Sequence, residues 1–254
     1  MTAGPTPPGG RAEAGTLRKL IARDGRAVLA GGALTLVVQL GVYVLGVAGG
    51  APRMQAALAT LAASVVWVAL AAPVLGATGR DALGALLRGG IVADASAVTL
   101  LVLWLGGPHV TFAAAVKVYC ILAAMSLAGI AACRLGRSSA GRHILAVVAA
   151  AAILTTAASP FWIGGAIRTA PPATARRIVA TGVYANPFYC VTAALSEQTR
   201  FVWHQASVMY RLTRIGDYAP APAACWYASA AIHAAAAALL AGVGALVHRR
   251  RRRR

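Results

Sequence analysis

Residues 56–78, AALATLAASVVWVALAAPVLGAT, run from Ala56 to Thr78 without one charged side chain. Buried core helices and strands of water-soluble domains rarely sustain such a run, whereas a hydrocarbon layer about 30 Å thick takes a helix of roughly 17–25 apolar residues at about 1.5 Å per residue. In lipid the backbone has no outside partner, so a crossing run must be helical. Similar runs recur at Ala27 to Gly49, Gly90 to Gly106, Thr111 to Cys133, His143 to Ile167 and Cys225 to Val247. The chain therefore reads as an all-α polytopic membrane protein with about six transmembrane helices. A 12% charged fraction, against roughly 25% in soluble domains, agrees with a membrane as its main solvent.

The net charge of +18 raises the question of nucleic acid, but the arginines gather at the ends of apolar runs and none is interleaved with stacking aromatics. Nucleic acid is not expected as a partner, and the lipid bilayer is. In short loops, Lys and Arg mark the cytoplasmic side. Arg18, Lys19, Arg23 and Arg26 precede the first span, Arg80 and Arg88 lie between the second and third, Arg134, Arg137 and Arg142 between the fourth and fifth, and Arg249 to Arg254 close the sequence. An even number of spans with both termini in the cytoplasm satisfies all four clusters, which places the protein in a cell (inner or plasma) membrane.

Around this transmembrane domain, residues 27–247, the organisation reads as a Pro- and Gly-rich disordered tail over 1–15, an amphipathic interfacial helix over 16–26 and a basic cytoplasmic tail over 248–254. The first apolar run follows a basic cluster and lacks a cleavage pattern at its end, so it reads as a retained anchor. Residues 168–224 form an insertion on the outer side. Within it Asn186 and Pro187 have the chemistry of a helix cap and first turn. The apolar stretch Phe188 to Leu195 that follows is too short to span, so 185–216 is expected to be re-entrant or interfacial. From Arg200 to Asp217, one helical face carries Phe201, Val208, Leu212 and Ile215 and another Arg200, His204, Arg211 and Arg214, with Trp203 at headgroup level.

Phosphate loops, nucleophile elbows, zinc signatures and paired carboxylates are absent from the sequence, so no catalytic residue, metal site or cofactor is assigned. Cys120, Cys133, Cys190 and Cys225 form no CxxC pair, and a Cys190–Cys225 disulfide stays open. The intramembrane polar residues are Asp94, Lys117 and His233. With a third span starting at Gly90, Asp94 falls about four residues from the cytoplasmic end and Lys117 about six from the outer end, roughly 10 Å or more apart in depth. They are not expected to pair. Each either reaches its own interface or lines a transport path.

The order of parts carries a resemblance. The basic stretch Thr16-Leu-Arg-Lys-Leu-Ile-Ala-Arg-Asp-Gly-Arg26 leads into the first span, and short helices precede the last. This resembles the membrane (permease) subunit of type-2 ABC exporters. The resemblance implies that Thr16 to Arg26 is a connecting helix and that Gly79 to Gly89 is the segment coupled to a separate cytoplasmic ATPase. Arg18, Lys19, Arg23, Arg80, Asp81 and Arg88 would then be the coupling residues, and Asn186 to Tyr218 would supply the outer helices. It further implies a second permease subunit, as homo- or heterodimer, with no catalysis on this chain. Two other readings remain: a membrane enzyme acting on lipid- or polyprenyl-phosphate, with the outer arginines as clamp and Asp217 with His204 as its acid–base pair, and a scaffold without turnover.

Overall fold

Ala-, Leu- and Val-rich runs, with Ser and Thr returning their hydroxyls to the preceding turn, leave a backbone only the helical solution, and every described element is an α-helix. The computed structural model describes residues 9–107, 110–199 and 226–252, with side chains over 23–107, 110–159, 161–195 and 226–247. In chain order the helices are α1 (Gly9–Ala48), α2 (Arg53–Thr78), α3 (Ala82–Leu105), α4 (Phe112–Arg134), α5 (Ser139–Ala157), α6 (Ser159–Thr169), α7 (Pro172–Ala185), α8 (Pro187–Thr199) and α9 (Trp226–Arg252). Six of them, α1 to α5 and α9, are long and apolar enough to cross a membrane. The chain is an integral membrane protein of the all-α polytopic class.

Helix α4 is the central post: more than half of its apolar stretch is buried, whereas that of α9 is almost wholly unburied among the described residues. Leu61, Val65 and Val68 of α2, Val92 and Leu100 of α3, Val118, Ile121 and Met125 of α4 and Ile153 of α5 share one core. Lipid tails are as apolar as leucine, so close packing rather than water exclusion holds such helices together. Gly89 shows how close: a Cβ there would meet Ile130 Cγ1 at 2.6 Å and the Ala72 carbonyl at 2.7 Å. Likewise the Pro73 ring, inside α2, seats in the hollow at Gly129. A positive φ, +83° at Gly50, turns α1 into α2, a conformation glycine adopts without a Cβ penalty.

Several boundaries differ from the sequence expectation, for physical reasons. Helix α1 starts at Gly9, inside the stretch read as a tail, and passes unbroken through 16–26 into the first span, so the connecting stretch is a continuation of the span and not a separate element. Helix α9 likewise continues through Arg252, into the stretch read as a basic tail. Helix α3 starts at Ala82, not Gly90. The Asp81 side chain caps it by accepting from the Gly84 amide at 2.6 Å, so most of the 79–89 segment is helix and only a turn at 79–81 links α2 to α3. The fifth span ends at Ala157, not Ile167; Ser159 and a proline at position 160, which has no N–H to extend the ladder, begin the separate α6.

Helices α7 and α8 meet at Asn186 with a bend of 74°. At the start of the 168–224 insertion, α7 packs back on α6 through Ile163, Ile167, Val179 and Val183. Helix α8 turns inward, where Cys190, Val191, Ala194 and Leu195 join the main core. Cys225 and the expected amphipathic helix over Arg200–Asp217 lie outside the described residues.

Candidate functional site

Charge is scarce in this bundle, and at one end it condenses into a node. Asp24, in α1, is 1% exposed. Its Oδ2 accepts from Arg23 Nη2 at 2.7 Å and Nε at 3.1 Å, and its Oδ1 from Arg88 Nε at 2.8 Å, with Arg88 Nη2 at 2.6 Å. Arg23 Nη2 also donates to Asp81 Oδ2 at 2.9 Å. Arg88 Nη1 donates to the Thr78 hydroxyl at 3.0 Å and reaches its carbonyl at 3.3 Å. Two guanidinium groups thereby bind α1 where its apolar span begins, the end of α2, the turn and the start of α3 into one unit. A Cβ at Gly84 would stand 3.0 Å from Asp81 Oδ1, 3.1 Å from Arg23 Nη2 and 3.2 Å from Asp24 Oδ2, so the helix start lies directly against the node. The Gly84 amide, and after it the Arg23 guanidinium, hold the Asp81 carboxyl below its ordinary range.

A second loop is tied to the same turn. Arg142 Nη1 donates to the Gly79 carbonyl at 2.6 Å, and Arg134 Nη1 approaches the same oxygen at 3.5 Å. Neither glycine of these loops has room for a side chain: a Cβ at Gly79 would run into the Ala85 backbone, and one at Gly136 would meet Arg142 N at 2.5 Å. Arg80 projects from the turn into the open, and Arg137 is exposed on the neighbouring loop.

Of the six coupling candidates, Arg23, Asp81 and Arg88 come together here, Arg80 stands at the tip, and the side chains of Arg18 and Lys19 lie outside the described residues. The centre of the node, Asp24, was not singled out, although it is the one acid in the Thr16–Arg26 stretch. That solitude among bases was the available signal.

The third span carries the second polar feature. With α3 running from Ala82 to Leu105, Asp94 stands midway along it, about 18 Å from its start. It is therefore at mid-span and not near an interface, and a short aspartate stem cannot snorkel the remaining distance. The Tyr119 hydroxyl of α4 donates to Asp94 Oδ1 at 3.0 Å, and the carboxyl group is exposed on the outer surface of the bundle. An acidic side chain at this depth costs roughly 3 kcal/mol by insertion scales. Lys117 does not meet it; its Nζ lies 6.0 Å from the centroid of the Trp226 ring. Beside Asp94, Leu101, Trp104, Phe112, Val116 and Tyr119 line a groove of about 140 Å³.

His233, 7% exposed in α9, places Nδ1 2.8 Å from the Ser229 carbonyl of its own helix, and it borders an apolar groove of about 450 Å³ between α4, α5 and α9. Deeper in the bundle, fully buried Gln39 donates to Ser96 Oγ at 2.8 Å, and Trp67 Nε1 donates to Thr35 Oγ1 at 3.0 Å. These polar rivets between α1, α2 and α3 were not anticipated, since each residue alone is ordinary within an apolar run.

Asn186 does more than cap. Its Oδ1 accepts from the Phe188 amide at 2.9 Å and the Tyr189 amide at 3.3 Å, starting α8. Its Nδ2 donates to the carbonyls of Ala157 at 2.8 Å and Thr156 at 3.2 Å and to Ser159 Oγ at 3.1 Å, closing the end of α5. Arg200, Trp203, His204, Arg211 and Arg214, with the pair Asp217 and His204, lie outside the described residues. Among the described residues no group of three or more His, Cys, Asp or Glu is placed to hold a metal ion.

Fold and site together define an all-helical integral membrane protein with a charged node at one end of the bundle. No family model, no curated protein and no solved structure matches the chain.

Proposed function

We propose that this chain is the permease subunit of an ATP-driven, ABC-type transporter, working with a separate ATPase chain and a second permease subunit. The node at Asp24 carries the reading. An ATPase must pass motion into transmembrane helices through a small contact that does not give way. A turn whose acid, Asp81, is held by Arg23, and whose neighbouring helix is held through Arg88 to buried Asp24, transmits a push to α1 and α3 together. Arg80 at its tip and Arg137 beside it offer the contact surface.

The basic clusters support a cytoplasmic position for this end and for both termini. The bent pair α7–α8 before the last span is consistent with the outer helices of type-2 exporters. Covalent chemistry belongs to the ATPase, and this chain supplies the path.

The test is purification of the tagged full chain in mild detergent from its host, followed by nucleotide-binding and vanadate-sensitive ATPase assays. A co-purifying Walker-motif chain is expected. Arg80→Glu should lower its stimulated activity at least tenfold while leaving the thermal stability of the permease unchanged. Retention of no nucleotide-binding chain, even after crosslinking, overturns the reading.

A further inference from the structure

An acidic side chain at mid-span is expected to face a bundle interior, a watery cavity or a partner charge. Asp94 faces none of these within the described structure. Its Oδ1 is taken by the Tyr119 hydroxyl at 3.0 Å, and Oδ2 accepts no hydrogen bond among the described residues. The surrounding surface is not flat lipid-facing helix. Asp94 does not line the groove between α3 and α4 but stands just beyond its mid-span end, one helical turn from Ala97 and bonded to Tyr119, both of which line it, and the groove's other end is framed by Trp104 and Phe112, whose ring centroids are 5.4 Å apart. Leu101 and Val116 line the groove, and Tyr119 lines it too while its hydroxyl meets the carboxyl group.

The chemistry that satisfies all of these at once has a cationic nitrogen with N–H groups to give to Oδ2, and an apolar body to lie along aromatic walls. A neutral lipid tail would leave the carboxyl oxygen unmet, and an anion would be repelled.

We propose that the α3–α4 groove binds a lipophilic amine, its cationic nitrogen at Asp94 and its apolar body along Val116, Leu101 and the Trp104–Phe112 pair. As an assignment of the transported substrate this rests on the transporter reading; the binding itself does not, and it is tested without an ATPase.

The full chain is placed in lipid nanodiscs and titrated with dodecylamine carrying bromine on its chain. Quenching of Trp104 is read as the difference from a Trp104→Phe protein, and brominated dodecanol of equal length is the uncharged control. Amine should half-quench at a concentration at least tenfold below that of the alcohol. Asp94→Asn should abolish that difference, and Tyr119→Phe should reduce it severalfold, with unchanged thermal unfolding certifying the fold of both. Equal quenching by amine and alcohol, or an Asp94→Asn protein that binds amine like the original, overturns the proposal. A Val98→Cys protein that crosslinks to a second copy across this face, and loses the crosslink on Asp94→Asn, also overturns it, because the carboxyl group then meets protein. A failed ATPase co-purification leaves this result untouched, so the two readings fail separately.

Discussion

Asp24→Asn keeps the volume and one acceptor oxygen of the side chain while removing the charge that two arginines share. Breaking a buried ion pair by neutralising one partner costs about 3–5 kcal/mol, because the other charge is left without compensation. Here the partners differ. The Arg88 side chain is only 18% exposed and its strongest contact is to Asp24, whereas the Arg23 side chain is 37% exposed and keeps Asp81. The Arg23 share is screened by solvent and is discounted accordingly. The expected loss is about 2–3 kcal/mol, which for a chain of this length corresponds to a fall in unfolding temperature of roughly 5–10 °C. Tryptophan fluorescence during thermal unfolding in detergent reads it. The double variant Asp24→Asn with Arg88→Gln removes the stranded charge and should recover about 1–2 kcal/mol of the loss. An Asp24→Asn protein within 2 °C of the original, or a double variant as destabilised as the sum of the singles, refutes the node as described.

Gly89→Ala puts a Cβ against Ile130 and the Ala72 carbonyl, and overpacking of this kind costs about 1–3 kcal/mol, read as a lower unfolding temperature. Asn186→Ala removes the cap of α8 and strands the Thr156 and Ala157 carbonyls; a loss of about 1–2 kcal/mol is expected, with faster hydrogen exchange at the Phe188 and Tyr189 amides. Asp81 is held below its ordinary range when folded, so its stabilisation is fully present above the unfolded aspartate range and is lost as pH falls through the depressed value. The gap in unfolding temperature between the original and Asp81→Asn should therefore be constant above about pH 5 and shrink below about pH 4. A gap that widens on acidification contradicts the Gly84 and Arg23 contacts.

The spans were legible because charge-free runs admit one answer in lipid, and the six crossing helices fall on the six expected runs. Their ends were less legible, since a charged residue near a span end was taken to lie beyond it. Arg88 can lie within α3 because its guanidinium reaches back to Asp24 and Thr78, and with Asp81 capping a helix that starts at Ala82, Asp94 falls midway along it. The fifth span broke early because Ser159 and a following proline weigh little in a hydropathy average yet end the backbone ladder. Asn186 was readable as a cap from local chemistry, whereas its grip on Thr156 and Ala157 depends on how α7 folds back, which no local pattern encodes. The node was half visible: its arginines stood out as topology markers, and their shared acid did not.

The reach of Asn186 also sets an order of events during synthesis. The carbonyls of Thr156 and Ala157 close a helix that is complete 29 residues or more before the side chain that satisfies them exists. At roughly 5–20 residues per second, that side chain is made about 1.5 to 6 seconds later. Without that contact the end of α5 has only water or lipid headgroups to bond. The end of the fifth crossing is thus closed only once the chain has turned back on itself, which makes position 186 a joint between distant stretches of sequence.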